Sequence, residues 1–217
     1  VEKINAAYSN QKQFVENASN EIQTPLAIIR SKLDLFINEP GLTEKTAALL
    51  ADITEANDRL SQMNKSLLLL AKIDNNQFPE QARINISALL EKILFNYQEH
   101  YDSFPALTKS IQPGVHITAN AALAEILFTN LVKNAVIHNI RDGYISISLN
   151  SNQFTIENSG EALSENPELL FERFKKGNNA SKTTGLGLAL VKQIADLYNM
   201  NLKYNYQNSI HQVSIIF

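Results

Sequence analysis

The run Asn-Leu-Val-Lys-Asn-Ala-Val-Ile-His-Asn, residues 130–139, decides how this sequence is interpreted. Asn130, Asn134 and His138 are spaced four residues apart, so they project from one face of a helix whose other positions are mostly apolar. Carboxamides on such a helix need polar partners, and phosphate oxygens with a magnesium ion would supply them. The run therefore predicts a ligand-binding stripe, although residues that are exposed or locally satisfied would produce the same pattern.

Two glycine-bearing stretches further along the chain have the chemistry of a nucleotide site. The first, Glu-Asn-Ser-Gly at residues 157–160, ends a predicted strand and lets the backbone approach a base or a sugar. The second, Thr-Gly-Leu-Gly-Leu at residues 184–188, opens a helix whose free N–H groups favour anions. A polar segment with three lysines, residues 171–183, precedes it. Each stretch alone is a weak signal, and the order and spacing of all three strengthen it.

The N-terminal third has the hydrophobic periodicity of a helical hairpin. A break at residues 38–41 separates two helices, the second with Thr43 as its N-cap. Apolar positions alternate at spacings of four and three along both helices. The predicted seam comprises Val15, Ser19, Ile22, Leu26, Ile29, Leu33 and Phe36, then Leu49, Ile53, Ala56, Leu60, Met63, Leu67 and Leu70. This predicts a dimeric four-helix bundle, with packing of the hairpin on the rest of the chain as the alternative.

The remaining sequence alternates helix and strand patterns after a linker at residues 75–80. Helices are predicted to begin at Ser87, at Asn120 and near Gly187. Strand patterns cover residues 109–118 (a pair or an extended segment), 144–149, 153–158, 202–206 and 211–217. We therefore predict an α+β chain. A dimerisation hairpin covers residues 1–77, and an α/β sandwich covers residues 83–217, with a helical layer on a mixed, mostly antiparallel sheet.

Composition excludes several classes of function. The 217 residues carry a net charge of −3 and contain no cysteine, which argues against nucleic-acid binding and excludes thiolate chemistry. The longest aliphatic run, residues 67–71, is far too short to span a membrane. Because the sequence starts at Val1, we expect a fragment that makes no membrane contact of its own and whose missing N-terminal region could hold a membrane anchor.

In order and spacing, these stretches resemble the catalytic core of a sensor histidine kinase. Residues 19–26, Ser-Asn-Glu-Ile-Gln-Thr-Pro-Leu, resemble the H box, which normally begins Ser-His-Glu. The second domain resembles the ATP-binding domain shared with gyrase and Hsp90 chaperones. In it, residues 130–139 resemble the N box, 158–160 the G1 box, 171–174 the F box and 185–190 the G2 box.

The resemblance implies that ATP and Mg²⁺ are cofactors and that the partners are a second copy of the chain and a response-regulator receiver domain. Asn134 would be the Mg²⁺ ligand, and Asn158 would contact the adenine amino group. The residues assigned to the nucleotide are Asn130, Asn134, His138, Asn158, Gly160, Arg173, Lys176, Gly185 and Gly187. Among these, the glycines leave room and the two cations reach phosphates. Asn130 stands where gyrase-type ATPases carry a general-base glutamate, which favours phosphoryl transfer over hydrolysis.

The acceptor position departs from the family because Asn20 replaces the histidine. A carboxamide nitrogen is not nucleophilic at neutral pH, so we predict no autophosphorylation there. Natural loss and engineered substitution both remain alternatives. Glu21 and Thr24 match the residues that assist transfer and position water against a phosphoaspartate, so we predict that phosphatase activity survives.

Other departures concern nucleotide affinity and suggest competing functions. Ile137 stands where a Lys or Arg is frequent, and Asn158 replaces the usual aspartate, so its amide could donate and loosen base discrimination. Together with Asn20 they favour the main alternative, a non-catalytic pseudokinase regulator that binds nucleotide and a partner. An ATP-driven clamp of the gyrase type is disfavoured by Asn130 and by the kinase-like hairpin.

Overall fold

The computed structural model describes residues 21–100, 104–163, 166–175 and 183–217. The chain forms two compact units with a boundary between Asn75 and Asn76. Among the described residues, no helix is both long enough and apolar enough to cross a membrane.

The first unit is a helical hairpin. Residues 21–37 are helical (α1), and Glu44–Asp74 form the second helix (α2). Thr43 is confirmed as the N-cap of α2, since its hydroxyl accepts a hydrogen bond from the Thr46 N–H at 3.2 Å. Arg30 of α1 joins the helices through a 2.6 Å contact from Nη1 to Asp58 Oδ2.

The apolar seam of the hairpin divides into an inner and an outer half. The inner half buries Leu26, Leu33 and Leu50. The seam predicted for α2 is wrong by one residue here, because buried Asn57 rather than Ala56 faces α1 and donates its amide to the Leu26 carbonyl at 3.2 Å. An apolar pattern misses an asparagine whose amide N–H donates to a carbonyl inside a helix pair. The outer stripe, 38–57 % exposed, comprises Ile22, Ile29, Phe36, Leu49, Ile53, Leu60 and Leu67.

The second unit places helices on a sheet. Its strands are Ala82–Asn85 (β1), Ala106–Ile111 (β2), His116–Ala119 (β3), Tyr144–Leu149 (β4), Gln153–Ser159 (β5), Asn201–Gln207 (β6) and Ile210–Ile216 (β7). Its helices are Ile86–His100 (α3), Ala121–Ile137 (α4) and Gly187–Leu197 (α5), with a 3₁₀ turn at Pro167–Phe171. The main sheet has the order β2-β4-β5-β7-β6, and only the β2–β4 pair is parallel. The predicted hairpin followed by a mixed-sheet sandwich is confirmed.

Two local predictions in this unit are corrected. Residues 109–118 do contribute to two strands, β2 and β3, but the strands do not pair with each other, since β2 joins the main sheet and β3 pairs with β1 in a separate two-stranded sheet. Ser87 does not cap α3, because the Asn85 side chain accepts from the Ala88 N–H at 3.1 Å. The Ser87 hydroxyl instead donates to the carbonyl of Gln112 and accepts from the backbone N–H of Val115, so a distant loop takes up its hydrogen-bonding capacity.

The helical layer sets the position of the candidate site. Asn120 is confirmed as the N-cap of α4, accepting from the backbone N–H groups of Ala122 and Leu123. α4 is held on the sheet by buried apolar residues, and the Phe128 ring meets the Phe154 ring of β5 edge-on with centroids 5.1 Å apart. α4 also packs against α5, so the C-terminal half of one helix lies beside the start of the other.

Candidate functional site

The helix start at Gly187 lies directly against Asn130 of α4. A Cβ atom at residue 187 would lie 2.9 Å from Asn130 Oδ1, so glycine is what permits this close approach. The Asn130 amide donates to the Ile126 carbonyl at 2.8 Å within the helix. Two of the sequence-predicted stretches, residues 130–139 and 184–188, are thus adjacent in space.

The N-terminus of α5 has the features of an anion site. Leu186 occupies the N-cap position, supplies no capping side chain, and the first turn carries no acidic residue. The first N–H groups of an α-helix have no partner within the helix, and the helix dipole favours negative charge there. The arrangement at Gly187 therefore suits a phosphate group.

Asn134 offers an oxygen ligand one turn along from Asn130. It is half-buried, and its side chain has no hydrogen-bond partner among the residues that the structure describes. In the described ranges no three acidic, imidazole or thiol side chains form a metal cage. A magnesium ion at Asn134 would therefore share its coordination with phosphate oxygens and water, which is the ligand set that Mg²⁺ prefers.

His138 directly follows α4, and its imidazole lies near His211 and Glu161. Its backbone N–H donates to the Asn134 carbonyl at 3.0 Å as the C-cap. Burial lowers the pKa of His138, the nearby His211 lowers it further, and Glu161 acts in the opposite direction. The imidazole is therefore a neutral group at physiological pH, and it does not add positive charge for a phosphate.

Gly185 lies next to Phe174, the last residue of the 171–174 stretch. Its φ of +70° is the left-handed region that favours glycine, and Phe174 also has a positive φ of 66°. The Phe174 N–H donates to the Gly185 carbonyl at 2.8 Å. Arg173 is exposed just before this junction, whereas the predicted phosphate contact Lys176 lies outside the described residues.

Asn158 lies near the end of β5 and is only 5 % exposed. Its amide donates to the Ser159 carbonyl at 2.8 Å, so the side-chain oxygen is the atom that can accept from an adenine N–H. One of its two amide N–H groups is thus directed at the protein backbone, and the looser base discrimination expected from the other stays a prediction.

Gly160 has a neighbour that the sequence did not suggest. A Cβ atom at residue 160 would lie 2.2 Å from Cδ2 and 2.4 Å from Nε2 of the buried His211 ring. The glycine therefore accommodates a side chain of β7, in addition to any nucleotide. Residues 160 and 211 are fifty-one positions apart, and only the strand register, which pairs Asn158 with His211, could have pointed to their proximity.

In the hairpin, Glu21 and Thr24 lie on exposed positions of α1, one turn apart. Asn20 lies outside the described residues. Both side chains are therefore placed where a partner protein could reach them.

Comparison with protein families matches both units of the chain. Residues 10–76 match the His Kinase A (phospho-acceptor) domain. Residues 119–215 match the histidine kinase-, DNA gyrase B-, and HSP90-like ATPase.

Curated relatives and solved structures agree with these matches. The heme sensor protein HssS of Staphylococcus saprophyticus is 32 % identical over 199 residues, which are 87 % of this chain and 42 % of the relative. The sensor protein CutS of Streptomyces coelicolor is 27 % identical over 205 residues, which are 90 % of this chain and 49 % of the relative. The chain thus spans less than half the length of these relatives. In fold it resembles the Acinetobacter baumannii histidine kinase AdeS, with a TM-score of 0.62 and 21 % identity over 91 % of this chain and 96 % of AdeS. It also resembles full-length ShkA in complex with AMPPNP, with a TM-score of 0.69 and 16 % identity over 94 % of this chain and 45 % of ShkA.

Proposed function

Because this chain belongs to the sensor histidine kinase family, a class of transferases, we propose that it is the catalytic core of a two-component sensor. In this proposal the second unit binds ATP, and the hairpin is the platform for phosphotransfer to a histidine and then to a response-regulator aspartate. The observation that carries the proposal is the uncapped start of α5 against Asn130. The direct test is autophosphorylation of the Asn20→His form with γ-labelled ATP and Mg²⁺.

The residues of the second unit have distinct tasks in this proposal. The side-chain oxygen of Asn158 accepts from the adenine amino group, and the first N–H groups of α5 hold phosphate oxygens. Asn134 would ligate Mg²⁺, whose chemistry is to neutralise charge on the transferring phosphoryl group. Arg173 and Lys176 would add cationic contacts to the phosphates. Catalysis then consists mainly of positioning and charge stabilisation.

Asn130 makes phosphoryl transfer to protein a better proposal than ATP hydrolysis. Its amide is bonded to the Ile126 carbonyl, and a carboxamide cannot take a proton from water. The second unit therefore has no general base at the position from which gyrase-type enzymes activate water. The chain would hold ATP until an acceptor histidine is presented.

Phosphatase activity would survive the replacement at position 20, because it depends on Thr24 rather than on a nucleophile. With ADP and Mg²⁺, we expect the chain to release phosphate from its phosphorylated response regulator. Thr24→Ala should slow this release by at least about a hundredfold, the lower end of what a positioned catalytic group contributes. Ser31→Ala, which removes an exposed hydroxyl from the same helix, is the matched control. Equal rates for both variants would contradict the role of Thr24.

The outer stripe supports a homodimer through the hairpin. Its seven aliphatic and aromatic side chains are exposed on one chain and recur at heptad spacing along α1 and α2. A second copy of the hairpin would bury them in a four-helix bundle. We also propose residues 1–77 and 83–217 as the two domains, on the cytoplasmic side of a membrane-anchored sensor, since ATP and response regulators are found there.

A charge in the outer stripe should dissociate the dimer. For Leu60→Asp we expect sedimentation to report the 24.3 kDa of one chain instead of twice that mass. The reason is that each protomer would bury an unpaired carboxylate in place of a leucine that contributes about 1.5–3 kcal/mol. Gln62→Asp places the same charge on an exposed position outside the stripe and should leave the dimer intact. A dimeric Leu60→Asp variant would argue against this interface.

A non-catalytic regulator is the second candidate function, and Asn20 and Ile137 favour it. Ile137 ends α4 and supplies no cation for a phosphate. Such a regulator would bind nucleotide and a partner without transferring phosphate, even when the acceptor histidine is restored.

A further inference from the structure

We infer that His211 is a positioning residue of the nucleotide site. It holds the turn after β5 and thereby fixes the position of Asn158, the predicted adenine contact. The inference rests on the proposed function, because it assigns His211 to the same nucleotide site. Glycine is needed at position 160 because a side chain of the protein, and not only the nucleotide, occupies the space beside it.

The strand register places His211 beside the predicted adenine contact. Asn158 of β5 is the Cα partner of His211 of β7, which is in turn the partner of Tyr206 of β6. Directly opposed residues of antiparallel strands have their side chains on the same face of the sheet. Both Asn158 and His211 are buried, at 5 % and 6 % exposure, on the face that packs against the helices. A shift of one of these two side chains would therefore displace the other.

Hydrogen bonds at both ring nitrogens hold the imidazole of His211 in one orientation. Nε2 lies 2.9 Å from the Glu161 carbonyl oxygen, which can only accept, so Nε2 carries the proton. Nδ1 lies 2.9 Å from the Tyr204 hydroxyl and accepts a hydrogen bond from it. Burial raises the pKa of Tyr204, so this hydroxyl remains a donor. Tyr204, His211 and the Glu161 carbonyl thus form one continuous chain of donors and acceptors.

Aromatic packing ties the same group to other parts of the site. The Tyr206 ring lies against the His211 ring with centroids 4.7 Å apart. Phe171, in the stretch that resembles the F box, contacts Tyr204 edge-on with centroids 6.0 Å apart. The His138 carbonyl at the end of α4 would lie 3.2 Å from a Cβ at residue 160. His211 is therefore at the point where the G1 turn, the F-box turn and the end of α4 meet.

The turn after β5 depends on His211 at two adjacent residues. At Glu161 the contact is the hydrogen bond to Nε2, and at Gly160 it is direct packing on the ring, which leaves no space for a Cβ atom. The Gly160 N–H also donates to the Ser209 carbonyl at 3.0 Å, so the turn is already fixed to the start of β7 by its backbone. The imidazole fills the space beside that bond and keeps the turn from closing towards the sheet.

The neutral imidazole is part of the arrangement. Burial lowers the pKa of His211, while the hydrogen bond to the Glu161 carbonyl acts in the opposite direction. The groups that face the ring are Tyr204 and Tyr206 from β6, Asn158 from β5, Glu161 from the turn and His138 from the end of α4. Protonation would remove the lone pair that accepts from Tyr204. ADP affinity should therefore fall as the pH is lowered from 7.5 towards 5.5.

The test is a double-mutant cycle between residues 160 and 211 in the whole chain, read out as the dissociation constant of ADP with Mg²⁺ by calorimetry. His211→Ala should weaken binding by about fivefold to tenfold, because the hydrogen bond that holds the Glu161 carbonyl and the packing on Gly160 are both lost. His211→Gln, whose amide can still donate to Glu161, should restore most of the affinity and remove the pH dependence. The exposed His116→Ala is the matched control and should bind as the unaltered chain does.

Gly160→Ala separates the two reasons for a glycine. Alone it should weaken ADP binding by at least about tenfold, because the new methyl overlaps the ring. Combined with His211→Ala it should recover towards the affinity of the His211→Ala chain. If Gly160→Ala is equally damaging in both backgrounds, or if His211→Ala binds ADP normally, the inference is overturned. No binding of ADP by the unaltered chain would overturn the proposed function and this inference with it.

Discussion

Asn20→His should convert a chain that takes up no phosphate into one that phosphorylates itself. The histidine nitrogen attacks the γ-phosphorus of ATP, the bond to the bridging oxygen breaks, and ADP leaves, whereas the carboxamide of Asn20 has no nucleophilic lone pair. We expect at least about a thousandfold increase in incorporation of label from γ-labelled ATP and Mg²⁺. The label should be acid-labile and base-stable, as a phosphoramidate is, and chelation of Mg²⁺ should prevent it.

The matched control for this gain is Asn20→Gln, which changes side-chain length and remains a carboxamide. It should stay unlabelled. If Asn20→His also stays unlabelled while the chain binds ATP, phosphoryl transfer is blocked elsewhere, and the non-catalytic regulator becomes the better description. If ATP does not bind either, the assignment of α4 and α5 to a nucleotide site is wrong.

Gly185→Ala should weaken nucleotide binding strongly, because a methyl group at this position would overlap backbone atoms. The added Cβ would lie 2.8 Å from the Lys175 carbonyl oxygen and 2.9 Å from the Phe174 carbonyl carbon. Both are backbone atoms, so neither can rotate away as a flexible side chain would. Relief requires opening the Phe174–Gly185 hydrogen bond, which would displace the backbone just before the start of α5. We expect ADP affinity to fall by more than about thirtyfold, or about 2 kcal/mol.

Gly114→Ala is a closely matched control for this loss. Gly114 has a φ of +74° against +70° for Gly185, and no atom lies within 4 Å of its added Cβ. It therefore carries the same left-handed strain, about 1–2 kcal/mol of folding stability, without the steric overlap. Urea unfolding should report this cost in Gly114→Ala while ADP affinity stays unchanged. Equal ADP affinities in the two variants would show that the backbone contacts at Gly185 do not matter for the site.

Much of the hairpin and the helix starts could be predicted because their signals are local. Thr43 and Asn120 cap helices through bonds to backbone N–H groups two or three residues away, so their neighbours in sequence suffice. The 3.6-residue period of α4 likewise placed Asn130 and Asn134 on one face. The local pattern is misleading at Ser87, which does not cap α3 because a carbonyl 25 residues away accepts from its hydroxyl.

Contacts that join distant strands and helices could not be predicted in this way. The burial of Asn57 in α2 depends on a carbonyl of α1, thirty-one residues away. The parallel pairing of β2 with β4 depends on which edge of the sheet is left open once the antiparallel strands have paired. Neither leaves a pattern in the residues of one element, since hydrophobic periodicity shows which face is buried and not what covers it.

By itself the sequence determined the class of the protein, the helical hairpin and the three stretches that bear nucleotide chemistry, because residue type and spacing within one turn or strand encode these. Only the tertiary structure decided which atoms meet. It placed Gly187 against Asn130, closed Gly185 on Phe174, and set the His211 ring beside Gly160. These contacts follow from strand register and helix packing, which depend on the balance of interactions over the whole domain.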